Sequence, residues 1–475
     1  MIARSAACLW CAGAISLFAQ GRPTDWPTVG GDAQRTGWEK SDSRITKDNI
    51  KDFQLVLKRR LPGKGKVLTA PVVIGNLISY RGFKELAFVA SDAGDMWSID
   101  ADLDRMFWEK HDGASTKGAC PGQITAPSLI PPTIFRPRPV GVAGAPPRPA
   151  GPPSAFGASR PVFTVAPDGK LRRLNTSDGS EQESMALLPA GMHAGVTTIA
   201  DGVFYAQAQS GCGSKAKGMV AAVDISKPGQ TPATYPLDSA PAGFAIGTDG
   251  TVYVQTAAGK LLALSTKELK LKQSFQLADS PAKAVNRVTP VVFEFKGRDL
   301  IVSAGTDDRL YLLDSDTLGA DDHKGFLNRT EPLAGHVTGG LTTWLDGAGV
   351  RWIMAPVWGS PNGAVAAYIV EEHDGKPVLS PAWVSGNLSS PEPPVVNGGY
   401  VFVLSAGAFQ KNLKPRSGSH ATLHILDATN GKELYSLGKE ITAPANLTGV
   451  TLVNGRLYFT TTDNTLYAFG IPLIR

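Results

Sequence analysis

The sequence predicts an all-β fold: an eight-bladed β-propeller of four-stranded antiparallel blades, closed by an N-terminal strand that pairs into the last blade. Two observations lead there. The first is a unit of strand, Asx/Gly turn and strand, seen most clearly in Ile425-Leu426-Asp427-Ala428-Thr429-Asn430-Gly431-Lys432-Glu433-Leu434-Tyr435. More degraded copies occur at Ser98-Ile99-Asp100-Ala101-Asp102, Leu171 to Gly179, Leu261 to Lys267 and Leu310 to Asp316. A repeat of roughly 50 residues built from short strands is the mark of a propeller. The second is composition: 52 Gly and 35 Pro in 475 residues fall mostly at strand ends, where turns need positive φ and ladders must stop.

Each unit reads as four strands. First strands begin near Thr69, Thr125, Val196, Gly243, Val288, Leu341, Pro393 and Leu447. Second strands follow at Leu86 to Ser91, Val162 to Val165, Val203 to Gln207, Val252 to Gln255, Leu300 to Ala304, Arg351 to Val357, Tyr400 to Ser405 and Leu457 to Thr461, most of them alternating at period two. The last unit ends with Thr465 to Phe469 and has little chain left for a fourth strand. Phe53 to Leu61, a strand without a blade of its own, is expected to fill that place and remove two sheet edges. In such a meander the loops entering first strands and the loops between second and third strands share one face.

Bulk properties exclude several classes. The net charge of +5 comes with no basic stripe interleaved with aromatics, so nucleic acid is not an expected partner. Arg4, the apolar run Ala6 to Phe18 and the small Ala19 read as a secretory leader over 1–19, and no later segment is apolar enough for a transmembrane span. The domain layout is then 1–19 leader, 20–52 N-terminal extension and 53–475 propeller, in a periplasmic or secreted protein. Cys8 and Cys11 fall in the leader. Cys120 and Cys212 remain, on the same face of neighbouring blades, and an oxidising compartment makes them a disulfide. Neither has the spacing of a zinc or haem motif, so no metal ligands are assigned.

Two stretches interrupt the pattern. Pro131 to Arg160, within the second blade, is rich in Pro, Ala and Gly and carries Arg136, Arg138, Arg148 and Arg160 without an acid, the composition of a segment that builds no core. Gly407 to His420 carries Lys411, Lys414 and Arg416 on the cysteine-bearing face.

Asp25-Trp26-Pro27-Thr28-Val29-Gly30-Gly31-Asp32, with Arg35-Thr36-Gly37 and Ile45 to Ile50, resembles the opening of quinoprotein dehydrogenases that bind pyrroloquinoline quinone (PQQ). The unit Ile425 to Tyr435 is similar to that family's tryptophan docking motif, with Tyr435 where Trp is usual; Phe107-Trp108 retains the Trp, and Phe275 offers a substitute. Cys120-Pro121-Gly122, Ser210 to Gly213 and Asp463 to Gly470 resemble a bacterial subgroup of quinoprotein-like repeat proteins. The resemblance implies PQQ and Ca²⁺ in the channel, a small alcohol or sugar as substrate, and a separate electron acceptor. It equally admits a non-catalytic scaffold for an envelope protein, similar to the outer-membrane assembly propeller. The chain lacks the adjacent cysteine pair of the alcohol-oxidising members.

Propeller ligands usually sit at the channel mouth, where first strands converge. The polar candidates there are Gln123, His193, Asn286, Arg287, His336, Glu392 and Asn446. Arg287 suits a tricarboxylate cofactor. His193 and His336 have the chemistry of an acid or base near neutral pH, or of hydrogen-bonded structural histidines. Asp307-Asp308 and Asp463-Asn464 fall in hairpins, where turn chemistry accounts for them. Trp344, Trp352 and Trp358 could stack on a planar ligand or pack between blades.

Overall fold

The structure, a computed structural model, describes residues 24–472 except 64, 66, 80–81, 112–124, 132–159, 190, 212–216, 279–286, 319–324, 360–361 and 410–413. Cys120, Cys212, Gln123, Asn286 and nearly all of the Pro-rich stretch lie outside the described residues.

Among the described residues eight antiparallel sheets follow one another along the chain; the sixth has its first strand split into His336–Val337 and Thr342–Leu345, and all run as meanders in chain order except the last. There Gln54–Arg60 pairs with Thr465–Gly470, in a register that sets Lys58 opposite Tyr467, and so supplies the outermost strand of the eighth blade. The ring is thereby closed by the N-terminal strand, as the repeat requires. The second strands predicted at Val162–Val165 and Tyr400–Ser405 have those limits, the one predicted at Leu86 to Ser91 runs Gly82–Ala90, and the others extend by a few residues.

The core lies between blades. Seven apolar clusters occupy successive blade interfaces, and the largest spans blades seven, eight and one, where the ring closes. Period two explains how one strand serves two interfaces: Val252 and Val254 face blade three, while Tyr253 between them faces blade five. Strands buried on both faces are why the middle strands are apolar almost throughout.

The recurrent Asp holds the turn between third and fourth strands. Asp427 Oδ1 accepts from the Thr429 backbone N–H at 2.8 Å and Asp314 Oδ1 from that of Asp316 at 2.8 Å. The following glycine makes room for an indole from the preceding blade. Trp108 of blade one donates to Thr176 O at 2.9 Å and lies against Gly179, whose φ of +71° and lack of a Cβ allow the approach. Trp383 of blade six does the same at Ala428 O, 3.0 Å, over Gly431. Trp108 is therefore not the only docking Trp. Trp383 escapes the sequence pattern because its strand, Lys376–Val384, belongs to a lengthened hairpin that shifts it out of register with the repeat.

The N-terminal extension forms part of the ring. Between Thr24 and Asp42 it bonds to the innermost strand, or the turn after it, of all eight blades in sequence. Trp26 pairs with Val73, Pro27 O accepts from Leu129 and Thr28 Oγ1 donates to Thr197 O. Ala33 O, Gln34 O, Thr36 O and Gly37 O accept from Ile246, Val292, Thr343 and Val396, and Asp42 accepts from Gly455. Arg35 is its hub. Almost fully buried, its guanidinium donates to Phe244 O at 3.0 Å, Thr28 Oγ1 at 2.8 Å and Thr197 O at 3.3 Å, and to Val29 O. Burial pushes its pKa down to about 10, so it stays charged at neutral pH.

A second polar cluster locks the closure. Glu85 of blade one accepts from Arg456 at 3.2 Å, from Asn454, and from the Tyr458 hydroxyl of blade eight, all buried. Among the described residues no helix is long and apolar enough to cross a membrane.

Candidate functional site

First strands run inward along the channel axis, so their starts meet around a cavity of about 250 Å³. Thr69, Ala126, Gly195, Ala242, Arg287, Gly340, Glu392 and Thr448 line it, one from each blade, and Val29 of the extension closes it from below. Bulges aim the lining inward. The ladder of blade three is interrupted between Ala194 and Thr197, turning Gly195 and Val196 to the channel, and that of blade four between Pro241 and Gly243, turning Ala242. Between blades five and six, Val288–Thr289 and Gly339–Gly340 pair in parallel and draw two first strands together.

Two charged residues share this cavity. Glu392 is 4% exposed; its Oε2 accepts from the Gly449 backbone N–H at 3.2 Å, and its Oε1 has no partner among the described residues. Burial, only partly offset by that N–H, raises its pKa to about 7. Arg287 is exposed at the lining, and no hydrogen bond or ion pair from a described residue engages its guanidinium. Among the described residues the cavity thus carries one cation without a side-chain partner, with a buried, half-committed carboxyl group in its wall, which is otherwise largely apolar.

The other sequence candidates fall elsewhere. His193 is buried beside a smaller cavity of about 40 Å³ between blades one, two and three, also lined by Asp95 and Lys110. Its Nε2 has no partner among the described residues, and burial pushes its pKa down, so it is neutral at pH 7. His336 is exposed, with Nδ1 2.8 Å from Asp308 Oδ1. Asn446 immediately precedes the lining residue Leu447; its Nδ2 donates to Thr460 Oγ1 and Thr461 O, both at 3.0 Å. Of the five candidates among the described residues, Arg287 and Glu392 line one cavity.

The turn and packing assignments are visible too. Asp308 and Asn464 both have a φ of +61°, and Asp307 accepts from the Tyr311 hydroxyl at 2.8 Å. Trp344 and Trp352 stack with centroids 6.1 Å apart, and Trp358 donates to Pro391 O at 2.8 Å, so all three indoles are engaged in packing. Sequence reasoning missed Thr69, Thr289 and Thr448 as hydroxyls of the cavity, and Val29 as its floor. The strand-start rule pointed to all three threonines, which lie at or beside the starts near Thr69, Val288 and Leu447, but nothing local in the sequence marks Val29.

Fold and cavity together define a class: a closed eight-bladed propeller with a floored central channel whose mouth carries an acid and a guanidinium. No family model matches the sequence, and no curated protein matches it in sequence. Solved structures share its architecture. Quinohemoprotein alcohol dehydrogenase from Comamonas testosteroni matches with a TM-score of 0.60 at 13% identity, over 96% of this chain and 82% of that one. BamB from Moraxella catarrhalis matches with 0.53 at 15% identity, over 89% and 99%, and the computationally designed Ika8 protein with 0.54 at 13%, over 88% and 100%. At such identities the likeness is one of fold.

The donor set bears on PQQ and Ca²⁺. The quinone carries three carboxylates and Ca²⁺ takes 6–8 oxygen ligands. The described lining offers one cation and one carboxyl that burial keeps protonated to about pH 7. Among the described residues no three His, Cys, Asp or Glu side chains converge as metal ligands. The described lining does not fit that pair.

Proposed function

We propose that the protein is an exported binding propeller, which takes a small organic ligand into the channel mouth rather than oxidising an alcohol or sugar on a bound quinone. The observation that carries this function is the exposed Arg287 guanidinium, engaged by no described residue, in a cavity of about 250 Å³ floored by the protein's own N-terminal extension. An unengaged guanidinium at a largely apolar wall is a ready partner for a small organic anion.

The test is reconstitution. Purified mature protein is titrated with PQQ in the presence of Ca²⁺, and absorbance and dye reduction are followed with a panel of alcohols and sugars. No saturable binding and no reduction are expected. Stoichiometric binding with substrate-dependent dye reduction would return the protein to the quinone dehydrogenases. Export is checked by the mass of protein recovered from the periplasmic fraction or medium, which should lack residues 1–19.

A further inference from the structure

We infer that the channel mouth takes an aliphatic monocarboxylate, its carboxylate held by the Arg287 guanidinium and the Thr289 hydroxyl and its hydrocarbon chain lying along the cavity toward Val29. The inference rests on the binding-propeller function above and names the ligand class.

One strand start builds the head site. Arg287 and Thr289 are next-but-one neighbours in extended chain, so both face the channel, while Val288 between them turns into the core between blades five and six. Arg287 is exposed, and no described residue hydrogen-bonds or ion-pairs its guanidinium; Thr289 is partly exposed, and its hydroxyl is likewise bonded to no described residue. Gly243 of the neighbouring blade leaves the room which that hydroxyl occupies, since a Cβ there would stand 2.2 Å from Thr289 Oγ1. On the other side the parallel partner of the same strand start, Gly339–Gly340, carries no side chain that would fill the gap. A guanidinium fork beside a hydroxyl donor suits a carboxylate.

Charge limits the ligand to a single carboxylate. Arg287 is the one cation of the described lining. Its one acid, Glu392, is sealed: Oε1 is buried in the wall and Oε2 accepts from the Gly449 N–H. A second carboxylate on the ligand would enter a largely apolar cavity with no cation to meet it, and an ammonium would find no acid within reach.

The wall selects the body. Ala70, Ala126, Val196, Ala242 and Leu447 surround the cavity and Val29 floors it. Two other hydroxyls of the lining are already spent: Thr69 Oγ1 accepts from the Ala90 N–H at 3.0 Å, and Thr448 Oγ1 donates to Leu68 O at 3.1 Å. Hydroxyl groups along a ligand, as in a sugar acid, would therefore give up water with few partners to replace it, whereas each buried methylene gains roughly fourfold in affinity. At roughly 30 Å³ per water-sized group, about 250 Å³ takes on the order of eight such groups, the size of hexanoate.

Calorimetric titration of the full mature chain at pH 6.5, where these acids are ionised and Glu392 is largely protonated, compares hexanoate with butanoate, octanoate, hexan-1-ol, adipate and gluconate. Hexanoate should bind saturably, and hexan-1-ol, adipate and gluconate each about ten- to hundredfold more weakly. Butanoate should lose roughly fourfold per missing methylene, and octanoate should bind no better than hexanoate because Val29 ends the cavity. Arg287→Gln should erase the preference for hexanoate over hexan-1-ol, and Thr289→Val should weaken hexanoate about three- to tenfold. Ala242→Leu, which narrows the cavity from its wall, should weaken hexanoate more than butanoate. A native far-UV spectrum for each variant shows that the ring is intact. If hexanoate does not bind, if hexan-1-ol, adipate or gluconate binds as well as hexanoate, or if Arg287→Gln leaves the preference intact, the inference is wrong. Binding of adipate or gluconate that is lost on Arg287→Gln would in that case still leave a binding propeller standing, whereas quinone binding with dye reduction would overturn that function itself.

Discussion

Glu392→Gln is the substitution whose consequence follows most directly from the geometry. In the unfolded chain a glutamate titrates near 4.5; in the native cavity burial moves Glu392 to about 7. The native state therefore holds the proton more tightly than the unfolded state between these values, and stability falls as pH rises through that window. The sign is that of a raised acid: the contribution is intact below 4.5, is lost on the way to 7 and is flat above. At about 1.36 kcal/mol per pKa unit, a shift of roughly 2.5 units amounts to about 3 kcal/mol. Glutamine cannot ionise, and its Oε1 can accept the Gly449 N–H in place of the carboxylate. Equilibrium unfolding in guanidinium should find variant and wild type nearly equal at pH 5 and the variant more stable by about 3 kcal/mol at pH 9. Glu39, raised to about 7 for the same reason beneath the ring, gives both proteins a common residual slope. A difference that changes by less than about 1 kcal/mol between the two pH values would show that Glu392 is not desolvated as described.

Two further substitutions probe the ring. Gly179→Ala places a Cβ 2.8 Å from a Trp108 ring carbon at a φ of +71° and should cost about 2–4 kcal/mol, whereas Gly202→Ala, at a φ of +75° with nothing within 4 Å, should cost only ~1; thermal unfolding of the pair isolates the docking contact, and equal losses would deny it. Arg35→Ala strips the donors from Phe244 O, Val29 O, Thr197 O and the Thr28 hydroxyl. It should destabilise by about 3–5 kcal/mol and make the segment Thr24 to Asp42 the first site of proteolysis, which terminal sequencing of the fragments would reveal; an unchanged digestion pattern would mean that the extension is not held by its hub.

Much of the architecture was legible because it repeats. The spacing of strand starts, the Asp that closes each Asx turn and the docking Gly are local features, copied often enough to survive degradation, and the unpaired strand at Phe53 to Leu61 identified its own place by what the last blade lacked. Trp383 was lost because a lengthened hairpin moved it off the period. At the site, strand-start logic named Arg287 and Glu392 but could not separate them from His193, His336 and Asn446. All five are polar residues near the start of a first strand. Which of them meets the others depends on bulges and on the axial height of each strand, and neither has a local signature.

The sequence by itself determined the number of blades and the mode of closure, since these follow from period, turn chemistry and strand count. Only the tertiary structure decided that residues 24–42 run beneath all eight blades and floor the channel. Only there do an arginine and a glutamate more than a hundred residues apart come to share one cavity without touching. The physical reason is that periodic interactions are written within each unit, whereas a site on the axis of a ring is made of residues contributed once by each blade, and their distances exist only after the ring has closed.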